Sequence, residues 1–183
     1  GKKRINRLVQ YNIMSINSAV LKEGYLEIIS RGEVPFLLEE NEIVRYRTQT
    51  SRNTFSITSL ESNTRKIRIE AKDGYLFLTN QRFVFVTLST GDIDTFHVVL
   101  RNSKVLHFTH RLVSPWFGAN YWEFLFFSAQ GVSNGLPPNE WFKGTVLFND
   151  GGLFNFIPEF DCVLNDAINN NHIDEELPRY SET

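Results

Sequence analysis

The stretch DGYLFLTNQRFVFVT, residues 73–87, holds two short apolar runs on either side of a polar turn. Tyr75-Leu76-Phe77-Leu78 comes in, and Phe83-Val84-Phe85-Val86 leaves. Aromatic and β-branched side chains fit a pleated, buried surface, and Asn80 suits the turn. The stretch therefore reads as a β-hairpin. Gly74 permits a tight start that a Cβ would hinder.

Further strands flank the hairpin at short spacing. Upstream, residues 41–47 (NEIVRYR) read as a strand. Residues 48–64 are rich in Thr, Ser and Asn and read either as a long loop or, over 54–58, as strand. Residues 66–70 alternate Ile67 and Ile69 against charge, the pattern of a half-buried strand. Downstream, residues 96–100, 105–108, 121–128, 141–148 and 153–157 read as strands. Asn149-Asp150-Gly151-Gly152 gives a hairpin signal between the last two. Pro158 then opens a helix, with Glu159 and Asp161 suited to its positive start. Phe160, Val163, Leu164, Ala167 and Ile168 line one apolar face of it, and Asn169-Asn170-Asn171 marks a stop. About seven antiparallel strands followed by one amphipathic helix predict a mainly β fold. The order suits a pleckstrin-homology-like split barrel capped by its C-terminal helix.

The 183 residues suit one domain with extra segments, or at most two small ones. Hydrophobic residues make up 42% and aromatic residues 14%, enough for a packed core. The net charge of −2 argues against a general nucleic-acid binder, so no direct nucleic-acid contact is expected. A single cysteine, Cys162, leaves no internal disulfide and favours a reducing compartment. No apolar run has the length of a membrane span, and no signal-peptide pattern is seen. The expectation is a cytoplasmic protein, also nuclear or at a membrane surface. Residues 1–35 read as an N-terminal extension whose scattered apolar residues pack on the main domain, with a basic membrane- or partner-binding arm (Lys2, Lys3, Arg4, Arg7) as the sharper reading. The domain spans 36–172, and 173–183 form a polar tail.

The hairpin pattern of glycine, aromatic, L-x-L-T, polar turn with arginine and apolar strand resembles the signature hairpin of GRAM domains. The run Pro115-Trp116-Phe117-Gly118-Ala119-Asn120-Tyr121 is similar to a segment that follows the GRAM strands in the WW-domain-binding protein 2 family. The resemblance covers roughly residues 36–172. It implies a non-enzymatic adaptor without cofactors. In that family a GRAM domain docks to membrane lipid or protein beside proline-tyrosine motifs. Those motifs bind WW domains, including those of HECT-type ubiquitin ligases and transcriptional coactivators. The family tail carries several P-P-x-Y copies, whereas this chain has Leu177-Pro178-Arg179-Tyr180 alone.

L-P-x-Y is a variant WW ligand. Pro178 favours polyproline II, which fits an aromatic-lined groove, Tyr180 fills a second pocket, and Leu177 replaces the first proline. For phosphoinositide recognition the candidates are Arg45, Arg47, Arg52, Arg65, Lys66 and Arg68, provided they converge. Two alternatives stand beside the adaptor: a phosphoinositide membrane module with no WW role, and a protein-only assembly subunit.

Three further motifs read as structural. Gly131-Val132-Ser133-Asn134-Gly135 spells a nucleophile-elbow pattern, but Pro137 and Pro138 follow where a helix is required, so it reads as an inter-strand loop. Cys162 lies on the expected apolar helix face as a buried thiol and lacks the arginine of a phosphatase loop. His97, His107 and His110 have no ligand-like spacing and read as surface strand residues with no metal.

Overall fold

The computed structural model describes residues 13–61 and 66–176, with the backbone alone for 171–176. In chain order the strands are β1 (Met14–Ile16), β2 (Val44–Arg47), β3 (Asn53–Ser59), β4 (Arg68–Ala71), β5 (Gly74–Thr79), β6 (Arg82–Thr87), β7 (Thr95–Val99), β8 (Thr109–Val113), β9 (Tyr121–Phe127), β10 (Ser133–Asn134) and β11 (Trp141–Phe148). Helix α1 is Tyr25–Ser30, a 3-10 segment spans Leu100–Leu106, and helix α2 is Leu153–Glu176. A six-stranded sheet runs β10-β1-β7-β6-β5-β2, and a five-stranded sheet runs β4-β3-β11-β9-β8. Neighbours are antiparallel except for the short β1–β10 pair. The fold is mainly β, two packed sheets capped by a C-terminal helix, as the strand spacing and terminal helix predict.

The quoted hairpin is β5 and β6, paired from Gly74 with Thr87 to Leu78 with Phe83. Every residue of β6 is buried, because both faces of this strand are covered. Phe83 and Phe85 point into the main core between the sheets, while Val84 and Val86 join Ile29, Phe36 and Phe77 in a second cluster on the outer face. A strand covered on both sides reads as a continuous apolar run instead of alternating. Gly74 is required by close approach: a Cβ there would lie 2.5 Å from the Phe85 ring and from the Val86 carbonyl oxygen.

The outer cluster is roofed by the segment that follows β1. Ala19, Leu21, Tyr25 and Val34 pack on it, and Leu21 bridges to Phe36. Residues 13–35 therefore belong to the packed body, with Met14 fully buried in β1, between the short edge strand β10 and β7. Residues 1–12, which carry the basic start, lie outside the described residues.

The arginine that follows the hairpin turn is structural. Arg82 donates to both carboxylate oxygens of Glu42, at 2.8 and 3.1 Å, and to the Leu37 carbonyl at 2.9 Å. Its guanidinium lies 4.9 Å from the Phe36 ring centroid. Thr79 donates its hydroxyl to Glu42 at 2.6 Å. Burial alone would raise the Glu42 carboxyl. The hydrogen bonds from Arg82, the Glu39 N–H and Thr79, with the Arg82 charge, outweigh burial and hold it below its ordinary range.

Several sequence readings need correction. Residues 105–108 are not a strand: the chain passes through the 3-10 segment, and His107 turns it with φ of 50°. Residues 153–157 are not a strand either. Asn149–Gly152 leads from β11 into α2, which starts before Pro158 and takes that proline inside. Leu153, Phe156, Phe160 and Val163 are its buried residues, a 3–4 spacing that fits a helix as well as it fits a short strand. The helix backbone also runs past the three asparagines, because without Gly or Pro nothing breaks its hydrogen-bond ladder. Cys162 points outward and is exposed, not buried.

Candidate docking surface

Strand register places several loops at one end of the five-stranded sheet. Val113 pairs with Tyr121, Val146 with Trp122, Phe148 with Asn53 and Phe55 with Ala71. The β8–β9 connector, the β11–α2 turn, the β2–β3 loop and the β4–β5 turn are therefore neighbours. The first turns of α2 also lie here, since Phe156 meets the Trp122 ring at 4.8 Å.

The β8–β9 connector carries Trp116 and Phe117, which are 92% and 85% exposed. Their rings stand edge to face with centroids 6.5 Å apart. Gly118 follows with φ of 98°, a conformation that a residue with a side chain rarely takes. Phe154, in the first turn of α2, is exposed at the same end. Large aromatics concentrated in this way mark a contact surface, because water exposure of so much apolar area is unfavourable.

The basic candidates are spread out. Arg52 lies at the aromatic end, ion-paired to Asp150 at 3.5 Å. Thr50 donates to the same carboxylate at 2.6 Å. Arg45 is held by Glu159 of α2 at 2.9 Å. Arg47 donates to the Gly32 carbonyl at 2.7 Å and lies over the Tyr75 and Phe77 rings. Burial lowers its pKa, with the Tyr75 charge opposing. Arg68 starts β4 at the far end of the sheet and pairs with Glu70 at 3.4 Å, and Lys66 precedes it, exposed. Arg65 lies outside the described residues, as do Leu177, Pro178 and Tyr180. The five described cations do not meet around one point.

The histidines also differ from the expectation of a strand surface. His97 is 8% exposed. His110 is tucked under α2, where its Nε2 meets Asp161 at 2.7 Å and its Nδ1 accepts from the Trp122 indole at 3.1 Å. Burial lowers the His110 pKa, against the charge and hydrogen bond of Asp161. Of these three histidines His107 is the exposed one, against Phe127 and Trp141 at the opposite end of the sheet. Among the described residues no three His, Cys, Asp or Glu side chains gather to hold a metal, and no helix is long and apolar enough to cross a membrane. Ser133 lies in the two-residue strand β10, and no helix follows it.

At the other end, α2 passes the 3-10 segment and forms a cleft of about 310 Å³ lined by Glu40, Gln81, Val99, Arg101 and Ala167. Sequence reading placed Trp116 and Phe117 in a loop without marking them as a contact. The available signal was two adjacent large aromatics between Pro115 and Gly118, outside any strand that could bury them.

No protein-family model matches the chain, and no curated protein matches it. Among solved structures it is similar to the Vps36 N-terminal PH domain, with 13% sequence identity and a TM-score of 0.47 over 74% of this chain and 88% of that one.

Proposed function

We propose that this protein is a non-enzymatic docking adaptor. Its folded body attaches through the Trp116–Phe117 tip, and its tail presents Leu177-Pro178-Arg179-Tyr180 to a WW-domain protein. The observation that carries the reading is the exposure of the two tip aromatics. The course of α2 supports it as well. The helix starts beside the tip and passes the 3-10 segment, so its described residues run away from the tip. The resemblance of the hairpin and of the Phe117-Gly118-Ala119-Asn120 run to GRAM adaptors points the same way. A phosphoinositide site built from the six basic candidates has less support, because the described ones are ion-paired or far apart.

The test is calorimetric titration of the whole protein against a panel of WW domains, with Tyr180→Ala as control. Micromolar binding that weakens at least about tenfold in the variant is the expected result. Absence of binding across the panel overturns the adaptor reading.

A further inference from the structure

We infer that the Trp116–Phe117 tip inserts into the interfacial layer of a lipid bilayer, and that this contact is apolar and independent of headgroup charge. The inference rests on the docking half of the reading above and names the surface that the tip meets.

Three observations favour a bilayer over a protein pocket. First, the tip is convex: both rings are almost fully exposed and touch mainly each other. A protein hot spot sits within a broad patch ringed by polar contacts, whereas a bilayer needs only a protruding apolar knob. Second, the residue types fit the depth of the interface. An indole has an apolar body and an N–H that stays with the headgroups, and a phenyl ring reaches below it. Phe154 flanks the tip at the same end and adds apolar area. Third, charge at this end is balanced: Arg52 is engaged by Asp150, Arg45 by Glu159, and the exposed Lys72 of the β4–β5 turn is followed by Asp73. Attraction to anionic headgroups is therefore weak here, and the driving force is burial of aromatic area, which salt does not screen.

The experiment uses the full chain with vesicles of phosphatidylcholine alone and of phosphatidylcholine with phosphatidylinositol 4,5-bisphosphate, at low and high salt. Trp122 is fully buried and Trp141 begins β11 at the opposite end, so a Trp141→Phe background makes Trp116 the exposed reporter. The expected result is partition into phosphatidylcholine vesicles, unchanged by salt. Trp116 emission shifts to the blue and is quenched by brominated acyl chains. Trp116→Ser and Phe117→Ser each lower the partition coefficient about tenfold, the loss that follows from exposing one aromatic side chain. Trp141→Ser leaves it unchanged. Thermal unfolding of the tip variants should match the parent, since neither side chain is packed. Three results overturn the inference: no partition into either vesicle, partition that needs the phosphoinositide and disappears at high salt, or partition that persists in the Trp116→Ser/Phe117→Ser double variant. None of these bears on WW binding by the tail, so failure here and failure of the adaptor reading are distinguishable.

Discussion

His97 projects from β7 opposite Val84 and Ser15, and its Nδ1 has no partner among the described residues. Burial is the main force against its charged form. The Arg82 charge adds to it, Glu42 opposes, and the pKa falls to about 4. The sign of the linkage follows. Below the ordinary value of 6.5 the unfolded chain takes up a proton that the folded chain refuses. Stability from this group is therefore complete above pH 6.5 and is lost as pH falls toward 4. Between pH 7 and 5 the loss should reach about 1–2 kcal/mol. Urea midpoints at those two pH values, for the parent and for His97→Asn, check this. The parent should lose more stability on acidification than the variant, and equal losses would show that His97 is not held neutral. Sequence could not reveal this: the alternation around residue 97 fits a solvated strand, and the 8% exposure of His97 comes from tertiary packing.

Among the elements, the hairpin was legible because both its runs are apolar on both faces and its turn residues are polar. The strands β9 and β11 were legible for a similar reason, being long and aromatic. Short apolar runs were not. Residues 105–108 and 153–157 fit a strand and a helical turn equally well, and packing decided between them. Strand β1 has three residues and no readable period. Helix α2 acts as a plug whose apolar face enters the main core. Phe160 is fully buried there among Phe83, Phe108, His110, Trp122 and Phe156. Phe160→Ala should cost about 3–5 kcal/mol through lost contacts and the cavity left behind. Phe154→Ala, on the solvent side of the same helix, should stay within about 0.5 kcal/mol. Chemical denaturation of both variants checks the orientation of the helix, and comparable losses would contradict it.

At the scale of the whole molecule, helix α2 runs from beside the tip toward the 3-10 segment. It has 24 residues, a length of about 36 Å, and the L-P-x-Y motif follows it in the sequence. The L-P-x-Y motif rests on sequence alone, since a linear ligand needs only its own residues and these lie outside the described ones. The tip was not legible in sequence, because exposure depends on which strands flank a loop and whether anything covers it. The proposal of two independent attachments has an energetic consequence. Changes more than about 10 Å apart with no shared partners add without interaction. Trp116→Ser should therefore leave WW-domain affinity unchanged within about twofold, and Tyr180→Ala should leave vesicle partition unchanged to the same degree. The double variant should lose both activities by the sum of the single effects. Titrating a WW domain in the presence and absence of phosphatidylcholine vesicles completes the cycle. Unchanged affinity means that the body tethers its partner without altering it. An affinity that shifts when vesicles are present would mean instead that the α2 end responds to the tip, and the two ends would then have to be treated as one coupled device.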